Sequence, residues 1–115
     1  MSENVIDLKE FLERVQDDKE LLLELLDIYT DDYLEKRKLL SRYIQEKDFE
    51  LVKTTAHSLK GASGNISAKT LRELFLVLEQ QAQDLDGARL EEILSDVDHA
   101  FAELRKRIAE IKEEL

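Results

Sequence analysis

Cysteine, proline and tryptophan are absent from the 115 residues, and glycine occurs only three times. Without cysteine the chain can form neither a disulfide nor a thiolate metal site, and it has no cysteine nucleophile. The lack of proline and the few glycines leave few turn signals, which favours a few long helices over many short strands.

Long apolar runs are also missing. None approaches the roughly 20 residues that a membrane-spanning helix needs. The N-terminal MSENVIDLKE has neither the basic start nor the apolar stretch of a signal peptide. We therefore expect a soluble, cytoplasmic protein that has no membrane partner.

Basic residues are in the minority, with 17 Lys and Arg against 27 Asp and Glu, and the net charge is −10. Such an acidic surface repels nucleic acid and anionic lipid, so neither is expected as a main partner. Hydrophobic residues make up 43% of the chain, which argues against disorder. The length fits one hydrophobic core, so residues 1–115 are predicted to form a single domain.

What the sequence does contain is the apolar periodicity of amphipathic helices, interrupted at residue 48, at 65–67 and at 86–87. The first helix is predicted from Val5 to Val15 and the second ends at about Lys47. The third precedes the break at 65–67, the fourth uses Leu71 to Leu85, and the last extends to Leu115. Short connections make neighbouring helices reverse. The predicted fold is therefore an all-α, antiparallel four-helix bundle with an additional short N-terminal helix. A long coiled coil is the alternative, because the last helix keeps near-heptad spacing.

Polar residues mark the predicted helix ends. Asp17, with Glu20 three residues later, resembles a capping box that opens the second helix. Asp48 can cap the third helix and Ser67 the fourth. Asn65 tolerates the left-handed conformation in which many helices end.

Two of the glycines follow a histidine in the stretch 51-LVKTTAHSLKGASGNISAKTLR-72. At about 100° per residue, His57 lies about 200° from the apolar Leu59 and points outward. Gly61 and Gly64, at i+4 and i+7, share its exposed stripe. Each glycine costs roughly 0.5–1 kcal/mol relative to alanine in a helix, so we interpret them as clearance for a molecule that approaches the imidazole. His99, among the acidic residues of the last helix, is interpreted as an ordinary surface histidine.

Positive charge surrounds His57 along the chain. Residues 51–72 hold four of the 17 basic residues and none of the 27 acidic ones. This setting suits an imidazole that accepts a phosphoryl group better than a general base paired with a carboxylate. Lys60, one turn on, can pair with phosphate oxygens, and Lys53, Thr54 and Gly64 are predicted to contact the partner.

Nucleotide and metal motifs are missing from the sequence. There is no glycine-rich phosphate loop, nucleotide fingerprint or metal-binding carboxylate set. We therefore expect a chain that carries a phosphoryl group without taking one from ATP, and not an enzyme.

The segment 56-AHSLKGASGNISAKTL-71, followed by 72-RELFLVLEQ-80, strongly resembles the histidine phosphotransfer (HPt) domain of two-component phosphorelays. The motif covers about a quarter of the chain and joins a histidine, a lysine and a glycine at fixed spacing. The matching positions are Ala56, His57, Leu59, Lys60, Gly61, Ser63, Ala68, Leu71, Leu78 and Glu79. The family's usual glycine before Ala68 is Ser67 here, for which we expect an altered bend and not a loss of function.

The resemblance implies a role for each matching site residue. His57 would accept phosphate from a receiver domain's aspartyl-phosphate, or from a hybrid histidine kinase system, and pass it to another receiver. Lys60 would steady the phosphoryl group and Gly61 would give the receiver clearance. Glu79 would hold the other ring nitrogen of His57. The chain would need no cofactor of its own, because the receiver would bring the Mg²⁺. Docking would use the face of His57 with exposed apolar residues of the first and second helices.

Other interpretations stay open. In a helical interaction module without phosphotransfer, His57 would be incidental. In the phospho-acceptor region of a sensor kinase an acidic residue typically follows the histidine on a dimeric hairpin, whereas Ser58 follows here and a monomeric bundle is expected. A phosphotransfer domain cut from a longer chemotaxis-type kinase also fits, although Met1 and the helical IAEIKEEL suggest a free-standing protein.

Overall fold

The computed structural model describes residues 5–84 and 86–115, and within these ranges the regular structure is helical with no strand. The helices are α1 (Leu8–Arg14), α2 (Lys19–Gln45), α3 (Phe49–Asn65), α4 (Lys69–Gln81) and α5 (Gly87–Glu114). The four long helices pack in the order α2, α3, α4, α5, and α5 returns to contact α2. The predicted all-α bundle with a short N-terminal helix is confirmed. Leu85, which the sequence places on the fourth helix, lies outside the described residues.

The bundle is held by an apolar core to which every long helix contributes. Burying a Leu or Phe side chain stabilises the fold by roughly 1.5–3 kcal/mol. Members that are at most 1% exposed include Leu22, Leu26, Leu40, Val52, Ala56, Leu59, Leu71, Phe75, Leu78, Leu90, Leu94 and Leu104. Tyr33 of α2 stacks on Phe101 of α5 with ring centroids 3.7 Å apart. Because α2 and α5 pack back on each other, the chain forms a compact bundle and not an extended coiled coil.

Aspartates begin three of the long helices. Asp48 accepts a hydrogen bond from the Leu51 backbone N–H at 3.2 Å, as predicted. Asp86 caps α5 by accepting from the Arg89 backbone N–H. The predicted cap of α2 is wrong by one residue, because Asp18 accepts from the backbone N–H of Leu21. Asp17 instead adopts a left-handed conformation, with φ 61°.

The α3–α4 turn differs from the prediction in two ways. Asn65 stays helical as the last residue of α3, and Ser67 is the residue with left-handed φ, 59°. The cap of α4 is Ala68, which has no side chain to bond the helix end. The Ser67 hydroxyl donates to Glu10 at 2.7 Å and its carbonyl accepts from the Asp7 backbone N–H at 2.9 Å. Ser67 therefore ties α1 to the turn, in a backbone conformation that glycine adopts without strain. The altered bend expected from the exchange of glycine for Ser67 stays a prediction.

Candidate functional site

His57 projects from the exposed face of α3, as its helical phase predicts. Its side chain is 66% exposed. The neighbouring Ala56 and Leu59 are fully buried in the core. The core contacts of α3 therefore fix the direction in which the imidazole points.

Glu79 holds the inner nitrogen of that imidazole. The Nδ1 atom of His57 lies 2.8 Å from Oε2 of Glu79, which faces it from α4. An ionised carboxylate can only accept, so in the neutral imidazole Nδ1 carries the proton and Nε2 keeps its lone pair. The contact thereby leaves Nε2 as the ring nitrogen with a free lone pair.

Lys60 binds the other oxygen of the same carboxylate. Its Nζ atom lies 2.8 Å from Oε1 of Glu79, and the two side chains are only 21% and 17% exposed. The hydrogen bond from Lys60 lowers the pKa of Glu79 most, and the bond from His57 lowers it further, against the opposing effect of burial. Glu79 therefore stays an acceptor at neutral pH. His57, Lys60 and Glu79 form one cluster, joined by the contact of Nδ1 with Oε2 and by the ion pair of Lys60 with Glu79, and we call it the His57 cluster.

The two glycines beside His57 have different surroundings. A Cβ atom added to Gly61 would meet nothing within 4 Å, so the helix backbone is open there. A Cβ atom added to Gly64 would lie 3.4 Å from Cδ and 3.5 Å from Nε of Arg72. The predicted clearance is therefore present at Gly61, whereas at Gly64 an added Cβ atom would be in van der Waals contact with the side chain of Arg72.

The charge around this face is mixed. A groove of about 540 Å³ beside Gly61 and Gly64 is lined by four basic side chains and two acidic ones. The charged lining residues are Arg14, Lys60, Lys69, Arg72, Glu10 and Glu73. The stretch 51–72 lacks acids along the chain, but α1 and α4 bring carboxylates to it in space. The charge count along the chain does not reveal a carboxylate beside His57, whereas the family resemblance implies one, and Glu79 lies at hydrogen-bond distance from Nδ1 as that resemblance predicts.

The remaining predicted contact residues lie on the same surface but outside the His57 cluster. Lys53 lines a shallow groove of about 260 Å³ together with Glu79 and Gln80. Thr54 is exposed, and its hydroxyl donates to the Glu50 carbonyl at 3.0 Å. Their predicted partner contacts stay predictions.

An apolar surface borders α3 on the side opposite α4. Ile28 of α2 is 59% exposed and Leu21, two turns earlier, is also exposed. Leu25, Ile28 and Ala62 are among the residues that line a groove of about 240 Å³ between α2 and α3. We call Leu21, Leu25, Ile28 and Ala62 the apolar flank. The prediction of exposed apolar docking residues on the first two helices included no residue numbers, although Leu21, Leu25 and Ile28 recur at helical spacing.

Arg72 is one of the four basic residues in the stretch 51–72, and no role was predicted for it. Its contact with Gly64 can nevertheless be predicted from the sequence spacing. Gly64 and Arg72 lie four residues either side of Ala68, and His57 and Glu79 lie eleven residues either side of it. In an antiparallel hairpin, residues at equal distances from the turn come to the same level. The equal spacing therefore predicts the contact of Gly64 with Arg72 and that of His57 with Glu79.

His99 is exposed, and no hydrogen bond or ion pair joins it to another described residue. Across residues 5–84 and 86–115, no group of three or more His, Asp and Glu side chains is arranged to hold a metal ion. In the same part of the chain, no helix combines the length and apolarity needed to cross a membrane.

Comparison with the models of known protein families gives a match. The family model described as the Hpt domain matches residues 8–114, which is nearly the whole chain. No curated protein matches the chain, and no solved structure does.

Proposed function

This chain belongs to the Hpt domain family, and from that premise we propose that His57 carries a phosphoryl group between receiver domains of a phosphorelay. The family's role as a phosphohistidine carrier supports the proposal at a general level. The observation that supports assigning this role to His57 is the His57 cluster, in which an exposed imidazole is held at Nδ1 and has a free lone pair at Nε2.

The proposed transfer is a displacement at phosphorus. The Nε2 lone pair of His57 forms a bond to the phosphorus of a receiver's aspartyl-phosphate, and the bond from phosphorus to the aspartyl oxygen breaks. The aspartate leaves as a carboxylate, and the imidazole ring takes on positive charge while Nδ1 keeps its proton. Glu79 stabilises that charge through its 2.8 Å contact with Nδ1. Reversal of these steps passes the group to the next receiver.

Lys60 has a double role in this proposal. Its ion pair with Glu79 keeps the carboxylate ionised and in place. Its ammonium also lies beside the imidazole on the same helix, where it can attract the oxygens of the phosphoryl group. Mg²⁺, which would neutralise charge on the phosphoryl group during the transfer, is expected to be held by carboxylates of the receiver.

The receiver is proposed to dock over the exposed face of α3. Gly61 leaves the backbone open one turn from His57. The apolar flank offers exposed aliphatic side chains on one side of that opening, with Ile28 the most exposed. Apolar side chains that lose water on docking supply affinity in such interfaces.

Transfer from a phosphorylated receiver tests the proposal. The host receiver that labels the wild-type chain fastest serves as donor, with His57→Gln as the variant and His99→Gln as the matched control. We expect label on wild type and on His99→Gln, and none on His57→Gln. Acid treatment should remove the label from the two labelled proteins, because phosphohistidine is acid-labile. Acid-stable label, or label on His57→Gln, would refute the assignment.

A further inference from the structure

The side chain of Arg72, on α4, lies against α3 at Gly64. Its Cδ and Nε atoms lie 3.4 and 3.5 Å from where a Cβ atom of residue 64 would be. Both residues line the 540 Å³ groove, together with Lys60 and Gly61. The side chain of Arg72 therefore packs against α3 at Gly64, which places its guanidinium on the stripe that carries His57.

The other three basic side chains of the groove are held by partners. Lys60 pairs with Glu79 at 2.8 Å. Lys69 pairs with Asp7 at 3.2 Å and with Glu10 at 3.3 Å. Arg14 lies 3.5 Å from Glu10 in an exposed i, i+4 pair. Most of this positive charge is thus already compensated within the fold.

Arg72, like Arg14, is held by an exposed ion pair, and it also packs against Gly64 on the stripe that carries His57. Its side chain is 48% exposed, and the ion pair that it forms, at 3.2 Å, is with its chain neighbour Glu73, which is itself well exposed. Exposed pairs of this kind contribute little, about 0–1 kcal/mol. The guanidinium can therefore exchange Glu73 for an acidic group of a partner at little cost.

We propose that Arg72, which packs against α3 at Gly64, binds the acidic rim of the receiver domain beside its aspartyl-phosphate. This inference rests on the proposed phosphotransfer function. The charges favour that occupant, because carboxylates that hold Mg²⁺ make the rim of a receiver's site anionic. A chain with net charge −10 repels such a surface unless a local cation faces it. A guanidinium suits this task because it pairs with carboxylates in a bidentate manner.

Charge variants at position 72 test the proposal. Arg72→Gln removes the cation and Arg72→Glu reverses it, while Arg89→Gln removes a cation from an exposed pair on α5 and serves as the matched control. The second-order rate of transfer from the fastest host receiver is measured at several salt concentrations. We expect about a tenfold loss for Arg72→Glu, a smaller loss for Arg72→Gln, and a weaker salt dependence in both. Arg89→Gln should match wild type.

Two further measurements separate this proposal from the proposed function. Labelling of His57 by phosphoramidate, a small donor without a docking surface, should be equal in wild type and both Arg72 variants. Melting temperatures should also agree. If wild type accepts phosphate from neither donor, the proposed function fails. If wild type accepts it from both and Arg72→Glu reacts with the receiver at the wild-type rate and salt dependence, the role of Arg72 alone is refuted.

A double-mutant cycle tests the part played by Gly64. Gly64→Val places a side chain where Arg72 lies and should slow transfer from the receiver by displacing the guanidinium. In the Arg72→Gln background the same substitution should add little further loss, because the displaced group is already absent. Additive losses would show that residue 64 contacts the receiver directly, which would contradict a role of Gly64 in placing Arg72.

Discussion

His57 and His99 lie on exposed faces of long helices, and only one of them has the surroundings of a functional residue. At i+4 and i+7 from His57 the helix has Gly61 and Gly64, whereas the same positions after His99 are Glu103 and Lys106. Glu103 and Lys106 form an ion pair at 3.6 Å across that face. The surface beside His99 is thus covered by charged side chains, and the surface beside Gly61 is open.

The neighbouring helix makes the larger difference. Glu79 of α4 binds Nδ1 of His57 and is itself held by Lys60. His99 has no such partner among the described residues. An exposed imidazole without a partner can adopt either neutral tautomer, while one held by a fixed carboxylate presents a single nitrogen with a free lone pair. The comparison shows that the packing of α3 against α4, and not the histidine alone, makes the site.

Removal of Glu79 should make His57 resemble His99. A hydrogen bond to a charged group is worth roughly 1.5–3 kcal/mol. We therefore expect Glu79→Ala to slow transfer into His57 on the order of tenfold or more, as stopped-flow mixing with a phosphorylated receiver would measure. Glu79→Gln should lose less, because its amide oxygen can still accept from Nδ1. Glu103→Ala, beside His99, is the matched control and should leave the rate unchanged. Equal rates in Glu79→Ala and wild type would remove the positioning role.

Filling the opening at Gly61 should change the transfer rate less than removal of Glu79 does. It should stabilise the fold and slow transfer from a receiver. Gly61 has no neighbour within 4 Å of an added Cβ atom. Gly61→Ala should therefore raise the free energy of unfolding by about 0.5–1 kcal/mol, as for other helical glycines. The same change should slow transfer from a receiver and leave labelling by phosphoramidate unchanged. Denaturant unfolding and the two transfer assays check this. If Gly61→Ala is more stable than wild type and also accepts phosphate from the receiver faster than wild type, the opening at Gly61 has no docking function.

The helical periodicity was sufficient to predict the bundle, because apolar residues at three- and four-residue spacing specify which face of each helix is buried. The outward direction of His57 followed from the same periodicity. The ends of the α3–α4 turn were mispredicted because local propensity favoured Ser67 as a cap. In the fold its hydroxyl is occupied by Glu10 of α1, a residue 57 positions away. Tertiary contacts of this kind are not visible in local patterns.

The same limit applies to the candidate site. The pairing of Glu79 with His57 was expected from a family resemblance, and charge counting along the chain pointed the other way, to a setting without carboxylates. The helical phase of Gly64 shows that it shares the stripe of His57 but not that a side chain packs against it, and its partner contact stays a prediction. Arg72 reaches that position from the next helix. Helical phase describes one helix, and the site is formed between two.

The most direct test of the account is to identify which nitrogen of which histidine becomes phosphorylated. Long-range ¹H–¹⁵N NMR correlation of the imidazole rings, recorded before and after phosphorylation by a receiver, resolves all four nitrogens of His57 and His99. We predict that phosphorylation occurs at Nε2 of His57, that its Nδ1 keeps a proton, and that the spectrum of His99 stays unchanged. A phosphoryl group at Nδ1 of His57, or on His99, would contradict the account.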